Sequence, residues 1–130
     1  CGFYGEPNVV NRHYTWELLQ KLRIVYNGPW LVMGDFNEIL SQEDKEGGAL
    51  RNDSQIEDFR VTMEICQLKP SDYQGNRYTW FKNTEGTIKQ RLDWAMANEA
   101  WIDYFPDKSL THLDFFCSDH RALHFRPRNR

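Results

Sequence analysis

Three short stretches of this sequence carry side chains suited to hydrolysis: Gly34-Asp35-Phe36-Asn37, Arg91-Leu92-Asp93-Trp94 and Ser118-Asp119-His120. Each follows or sits within a stretch that reads as a β-strand. Strand ends suit reactive groups because the strand fixes the backbone while the adjoining loop leaves the polar group accessible. In Asp35-x-Asn37 the two-residue period of a strand aims both side chains to one side, so a carboxylate and an amide converge. The carboxylate takes a proton from water or holds a hard cation, and the amide donates to a phosphoryl oxygen. Asp119-His120 adds a second acid beside an imidazole. Asp93 is a third acid, able to lock that ring through its other nitrogen, which fixes the tautomer and raises the basicity. Together these groups supply a water activator, donors for developing charge and carboxylates for Mg²⁺ or Mn²⁺, which is what cleavage of a phosphate ester requires. Each motif alone has an ordinary reading as a turn or a loop pair, and His13, His112 and His124 show that histidine is not reserved for chemistry. Their joint occurrence in this order is the specific observation.

The elements that must position these groups follow from the hydrophobic spacing. Segment 11 to 26 places Leu18, Leu19, Leu22, Val25 and Tyr26 at helical intervals among charged residues, and Asn27-Gly28-Pro29 stops it. Trp30 to Met33 is an apolar run short enough for a strand covered on both faces, and it delivers Asp35. Asn52 or Asp53 caps a second helix with Ile56, Phe59, Met63 and Cys66 on one face. Tyr78 to Phe81 and Ile88 to Met96 read as strands joined by the polar Asn83-Thr84-Glu85-Gly86 connection. A short helix after Asn98 turns Trp101 and Tyr104 inward, and two last strands fall near Ser109 to Phe116 and Ala122 to Phe125. Strands and helices mix without a repeat, which predicts an α/β (α+β layered) fold, with residues 1–130 forming a single domain.

A chain of 130 residues, 40% hydrophobic and 15% aromatic, has room for one core. Its formal charge of -3 excludes a protein held on nucleic acid by bulk electrostatics, so any such contact is local. Residues 35 to 58 are strongly acidic, whereas Arg77, Lys82, Lys89 and Arg91 form a basic stretch and Arg121, Arg126, Arg128 and Arg130 a basic tail. Cys1, Cys66 and Cys117 are odd in number and far apart, which predicts free thiols in a reducing nuclear or cytoplasmic compartment rather than disulfides or a zinc site. No apolar run reaches membrane-spanning length.

The ordered motifs resemble the endonuclease/exonuclease/phosphatase superfamily, whose later signatures appear here as Tyr4-Gly5-Glu6-Pro7, Gly34-Asp35-Phe36-Asn37, Leu92-Asp93 and Ser118-Asp119-His120. Gly2-Phe3-Tyr4-Gly5, Lys45-Glu46-Gly47-Gly48 and Tyr78-Thr79-Trp80-Phe81 are similar to the endonuclease domains of plant LINE-type (non-LTR) retrotransposons in particular. The resemblance implies a four-layer αββα sandwich of the DNase I-like type. It also implies roles: Asp35 activating water, Asn37 positioning that water and the phosphate, His120 acting at the phosphoryl group with Asp93 orienting it, Asp119 at the metal and Tyr4 touching the phosphate.

Members of that superfamily begin with an Asn-bearing strand and a Glu-bearing segment, and nothing before Tyr4 supplies either; Glu6 and Glu38 stand in the wrong motifs. The expectation is a C-terminal part of the domain, lacking its N-terminal strands, weak or inactive alone, and able to associate through exposed sheet edges. The leading reading is a Mg²⁺- or Mn²⁺-dependent DNA-nicking endonuclease. Alternatives are another phosphoesterase of the superfamily, acting on abasic DNA or small phosphoesters, and a catalytically dead fragment. The fragment would bind nucleic acid or protein through Lys82, Lys89 and Arg91 beside Tyr78, Trp80 and Phe81.

Overall fold

The computed structural model describes residues 2–83, 86–106, 108–115 and 119–126, with the backbone alone at 114 and 115. Cys1, Thr84, Glu85, Cys117, Ser118, Arg128 and Arg130 lie outside the described residues. The chain opens with strand β1 (Gly2–Tyr4) and helix α1 (Arg12–Val25), followed by β2 (Leu31–Asp35) and the short β3 (Lys45–Glu46). Helix α2 (Asp53–Cys66), β4 (Lys69–Pro70), β5 (Gln74–Gly75), β6 (Trp80–Asn83), β7 (Thr87–Gln90) and β8 (Asp93–Ala97) come next. Helix α3 (Glu99–Tyr104), β9 (Ser109–Phe115) and β10 (Arg121–Arg126) complete the described elements.

Among the described residues the strands form three sheets, ordered β1-β2-β8-β4, β10-β9-β5 and β3-β7-β6. The first has helices on one face. Paired strand residues share a face, so Val32 with Met96, and Trp94 opposite Gly34, turn toward α1 and α2. There they meet Trp16 and Leu19 of α1 and Phe59, Met63 and Cys66 of α2. Phe59 is the hub of this core: it stacks on Trp16 at 5.2 Å and on Phe36 at 5.4 Å, and meets Trp94 edge-on at 5.9 Å. Rings so placed add about 0.5–1.5 kcal/mol per pair beyond their burial. Asp35, Met33, Asp93 and Ala95 alternate with the core residues and so belong to the opposite face.

Both long helices lie where the hydrophobic spacing puts them. Asn52 caps α2 by accepting from the Ser54 N–H at 2.8 Å, and Gln67 ends the helix in the left-handed region at φ 57°. Gly34 is fixed by contact: at φ +152° a Cβ there would lie 1.9 Å from the Phe3 carbonyl oxygen, so a side chain would push β1 off β2. Pro70 sits at the sheet edge in β4, where its missing N–H costs no ladder bond.

Two expectations change. The run Ile88 to Met96 is two strands in different sheets, because the ladder breaks at Arg91 and Leu92: the Arg91 N–H donates to the Asp44 carbonyl, and the Leu92 N–H to the Thr79 hydroxyl oxygen. Both pieces are extended, one mostly polar (Thr87–Gln90) and one mostly apolar (Asp93–Ala97), and spacing alone carries no mark of a switch between sheets. Tyr104 faces outward, 61% exposed, because α3 is only six residues long and presents Trp101 instead, whose ring meets Phe105 and Phe125.

Candidate active site

The antiparallel register of β2 and β8 sets Asp35 directly opposite Asp93. Like charges facing each other across strands repel. Asp35 therefore titrates above the usual carboxylate range, first through burial and second through Asp93, while the Asn37 N–H, His120 and Arg12 pull the other way. His120 relieves the repulsion. Its Nδ1 lies 2.8 Å from Asp93 Oδ2, and its Nε2 3.7 Å from Asp35 Oδ2. The hydrogen bond to Asp93 raises the imidazole above its ordinary value, aided by the charges of Asp93, Asp35 and Asp119 and opposed by burial. An imidazole held between two carboxylates can pass a proton at one nitrogen while the other stays anchored.

The pair is assembled from different sheets, since Asp93 opens β8 and His120 immediately precedes β10. Thr79 joins them. Its hydroxyl oxygen accepts from the Leu92 and Asp93 N–H groups at 2.9 and 3.0 Å, its own N–H donates to Gln90, and its carbonyl accepts from the Arg121 N–H at 2.6 Å. Thr79 is fully buried. Its only sequence signal was a hydroxyl within an aromatic strand, which is too common to single out. Thr79→Val keeps the shape and strands two buried donors, so unfolding in urea is expected to show a loss of about 2–3 kcal/mol. Thr79→Ser should retain most of that stability, and equal losses in both variants would remove the clamp from this account.

Asn37 reaches the site by a turn rather than by strand alternation, which is a correction to the period-two argument. Strand β2 ends at Asp35, and Asn37 adopts φ 55°, a left-handed conformation that asparagine tolerates. Its N–H donates to Asp35 Oδ1 at 2.8 Å and its amide to the Gly5 carbonyl at 2.8 Å, so it braces the loop after Tyr4. Tyr4 pairs with Asp35 through the backbone, and its ring is 72% exposed. Asp119 is exposed, with Oδ2 accepting from the Trp80 indole N–H at 3.1 Å.

The basic residues separate. Lys82 is exposed and Lys89 partly so. Arg91 cannot serve as a surface contact to nucleic acid, correcting that expectation: it is 7% exposed, with its guanidinium 3.9 Å from the Trp94 ring centre and 4.3 Å from that of Tyr73. Stacking between two rings offsets the burial of its charge. Glu38 is also committed, fully buried between Arg12 at 2.8 Å and Arg51 at 3.3 Å.

Asp35, Asp93 and His120 offer ligand atoms within 4.8 Å of one another. Two carboxylates whose repulsion is only partly compensated fit a hard divalent cation, and Asp119 adds a third acid beside His120. One imidazole nitrogen is already bonded to Asp93, so the cluster fits oxygen ligation of such a cation better than nitrogen ligation.

A layered α/β scaffold that brings an Asp–His–Asp group to the meeting point of its sheets defines a hydrolase-like centre. The chain belongs to the Endonuclease/Exonuclease/phosphatase family, whose profile matches residues 2–120. Among solved structures it is similar to the endonuclease domain of TRAS1, a telomere-specific non-LTR retrotransposon, with a TM-score of 0.70 and 18% sequence identity. That match covers 98% of this chain and 55% of the TRAS1 domain, so the chain spans about half the length of its structural relative. The likeness establishes the DNase I-like fold. Comparison with curated proteins yields no match.

Proposed function

We propose that this chain forms the C-terminal part of a divalent-metal-dependent, DNA-nicking endonuclease domain of a LINE-type retrotransposon. The observation that carries the reading is the 2.8 Å His120–Asp93 pair facing Asp35 in a chain of this family. Asp35, ionised, orients and deprotonates the attacking water. The Asn37 N–H holds the Asp35 carboxylate, and protonated His120, anchored by Asp93, donates toward the phosphoryl group. Tyr4, exposed beside Asp35, contacts the phosphate. Asp119, with the paired carboxylates of Asp35 and Asp93, would hold Mg²⁺ or Mn²⁺, which would supply charge neutralisation at the phosphate and the leaving oxygen. A reducing nuclear or cytoplasmic setting is part of the same proposal and rests on the sequence alone; the Cys66 thiol, raised to about 11 by burial, is inert. Exposed edges such as β1 are the places where further strands associate.

The test is nicking of supercoiled plasmid by this chain and by a version extended upstream, each with Mg²⁺, with Mn²⁺ and after chelation. The extended protein is expected to nick only with metal, and the 130-residue chain slowly or not at all, since phosphoryl transfer depends on positioning and charge stabilisation. Full activity after exhaustive chelation, or equal rates for both lengths, would contradict the proposal.

A further inference from the structure

Two segments meet at the reaction centre, the loop 5–7 after Tyr4 and the turn 35–37 at the end of β2. They are in direct contact: the Gly5 N–H donates to the Asp35 carbonyl at 2.6 Å, the Asn37 amide donates to the Gly5 carbonyl at 2.8 Å, and a Cβ at Gly5 would stand 2.6 Å from the Phe36 carbonyl oxygen. The Tyr4 ring is 72% exposed, so its aim is set by the backbone that carries it rather than by packing.

Behind both segments lies a buried brace. Arg12, 6% exposed, spreads its guanidinium over three acceptors: Nε to the Glu6 carbonyl at 3.1 Å, Nη2 to the Pro7 carbonyl at 2.8 Å and Nη1 to Glu38 Oε2 at 2.8 Å. Glu38 is fully buried and follows Asn37 directly; its carbonyl accepts from the Trp94 indole N–H at 3.0 Å, which fixes it to β8 one residue beyond Asp93. The other carboxylate oxygen meets Arg51 Nε at 3.3 Å, and Arg51 Nη1 reaches the Asn37 carbonyl at 3.5 Å. One carboxylate thus joins the arginine that holds the Tyr4 loop to the arginine that holds the Asn37 turn. Thr15 of α1 adds a neutral tie, its hydroxyl oxygen accepting from the Glu6 N–H at 3.0 Å.

We propose that Arg12 is a positioning residue of the reaction centre, setting the distance between Tyr4 and Asp35 through the Glu6 and Pro7 carbonyls. The proposal rests on the nuclease reading, in which Tyr4 meets the phosphate while Asp35 handles the water, and it adds what fixes the two relative to each other. Stability alone does not call for ions here, because buried ion pairs replaced by apolar groups often leave a protein equally stable. What the guanidinium supplies is direction: its planar fork holds several acceptors at fixed angles, which a point charge on a flexible stem does not. Phosphoryl transfer depends on such placement, and about 1 Å of error costs on the order of a hundredfold in rate.

The experiment substitutes Arg12→Lys, which keeps the charge beside Glu38 and removes the fork. In the 130-residue chain, hydrogen exchange at the Gly5 and Glu6 amides is expected to quicken about tenfold while the amides of β2 keep their rates. In the extended protein, saturating DNA should be nicked about a hundredfold more slowly per folded molecule, with the half-saturating DNA concentration within about twofold of the unsubstituted value. Trimethylamine N-oxide, which favours the folded state, should not restore the rate. Thr15→Val, which loses one tie without touching a charge, should shift exchange and rate the same way to a smaller degree, and it decides the matter if Arg12→Lys does not fold. The proposal is overturned if the Gly5 and Glu6 amides exchange no faster than before, if Arg12→Lys nicks at the unsubstituted rate, or if the osmolyte restores the loss, which would reduce Arg12 to a stabilising residue. Should the unsubstituted extended protein fail to nick, the nuclease reading falls, and the exchange rates alone decide whether Arg12 fixes the loop.

Discussion

Replacing His120 by alanine in the nicking-competent extended protein is expected to lower the cleavage rate about 10²–10⁴-fold, the span a positioned general acid supplies. The pH profile identifies the cause. Asp35 must be ionised and its folded value is raised, so activity falls as pH drops through that raised value. His120 must be protonated and is raised too, so activity persists above the ordinary imidazole range and falls only beyond it. Asp93→Asn removes the repulsion that lifts Asp35 and the hydrogen bond that lifts His120. Both limbs of the bell should therefore move toward acid, with a lowered maximum. The same substitution reduces the dependence of stability on pH, since a raised His120 contributes stability below its unfolded value that is lost as pH rises through its folded value. A profile that keeps both limbs in place after Asp93→Asn would refute the assignment of Asp93 as the group that orients His120.

Glu38→Gln should cost about 3–5 kcal/mol of stability, the largest single-site effect expected away from the aromatic core. The carboxylate is fully buried, accepts from Arg12 and Arg51, and receives the Ile39 N–H at 3.0 Å. Arg12 in turn donates to the Glu6 and Pro7 carbonyls at 3.1 and 2.8 Å, so the same network anchors the loop after Tyr4. Glutamine fits the space but leaves two guanidinium charges without their counterion in a dry setting. Urea unfolding at neutral pH measures the loss, and a change below about 1 kcal/mol would mean that solvent reaches the arginines.

The fold was legible where one physical signal dominated. Ile56, Phe59, Met63 and Cys66 recur at helical intervals behind the Asn52 cap, so α2 could be read with its buried face; α1 could be read in place but not in face, since it buries Trp16 and Leu19 while Leu18, Val25 and Tyr26 of the expected stripe are exposed. Asp35, Asp93 and His120 were legible as a candidate cluster because their residue types recur in one order at strand ends, and the structure brings them together. Apart from the Asp93–His120 pair, the sequence did not show which residues distant along the chain become partners. The strand break at Arg91 depends on the Asp44 carbonyl, and the burial of that arginine depends on Tyr73 and Trp94, neither of which marks it as interior. Glu38 was readable only as a misplaced acid, because its meaning comes from Arg12 and Arg51, 26 and 13 positions away. Asn37 came to its expected neighbourhood for a different reason, a left-handed turn whose N–H finds Asp35.

The joint at Thr79 has a kinetic consequence. His120 and Asp93 belong to sheets that share no ladder in the strand order, and the Thr79 contacts tie the two segments together. If that seam parts by an ångström, every helix and strand survives but the proton path does not. The working fraction of molecules is then set by a local opening equilibrium shallower than global unfolding, and the observed rate is the intrinsic rate multiplied by the closed population. Under the proposed function, warming or mild denaturant extinguishes turnover of the extended protein while the helices are still intact, and whatever covers the seam acts as an activator by holding it shut.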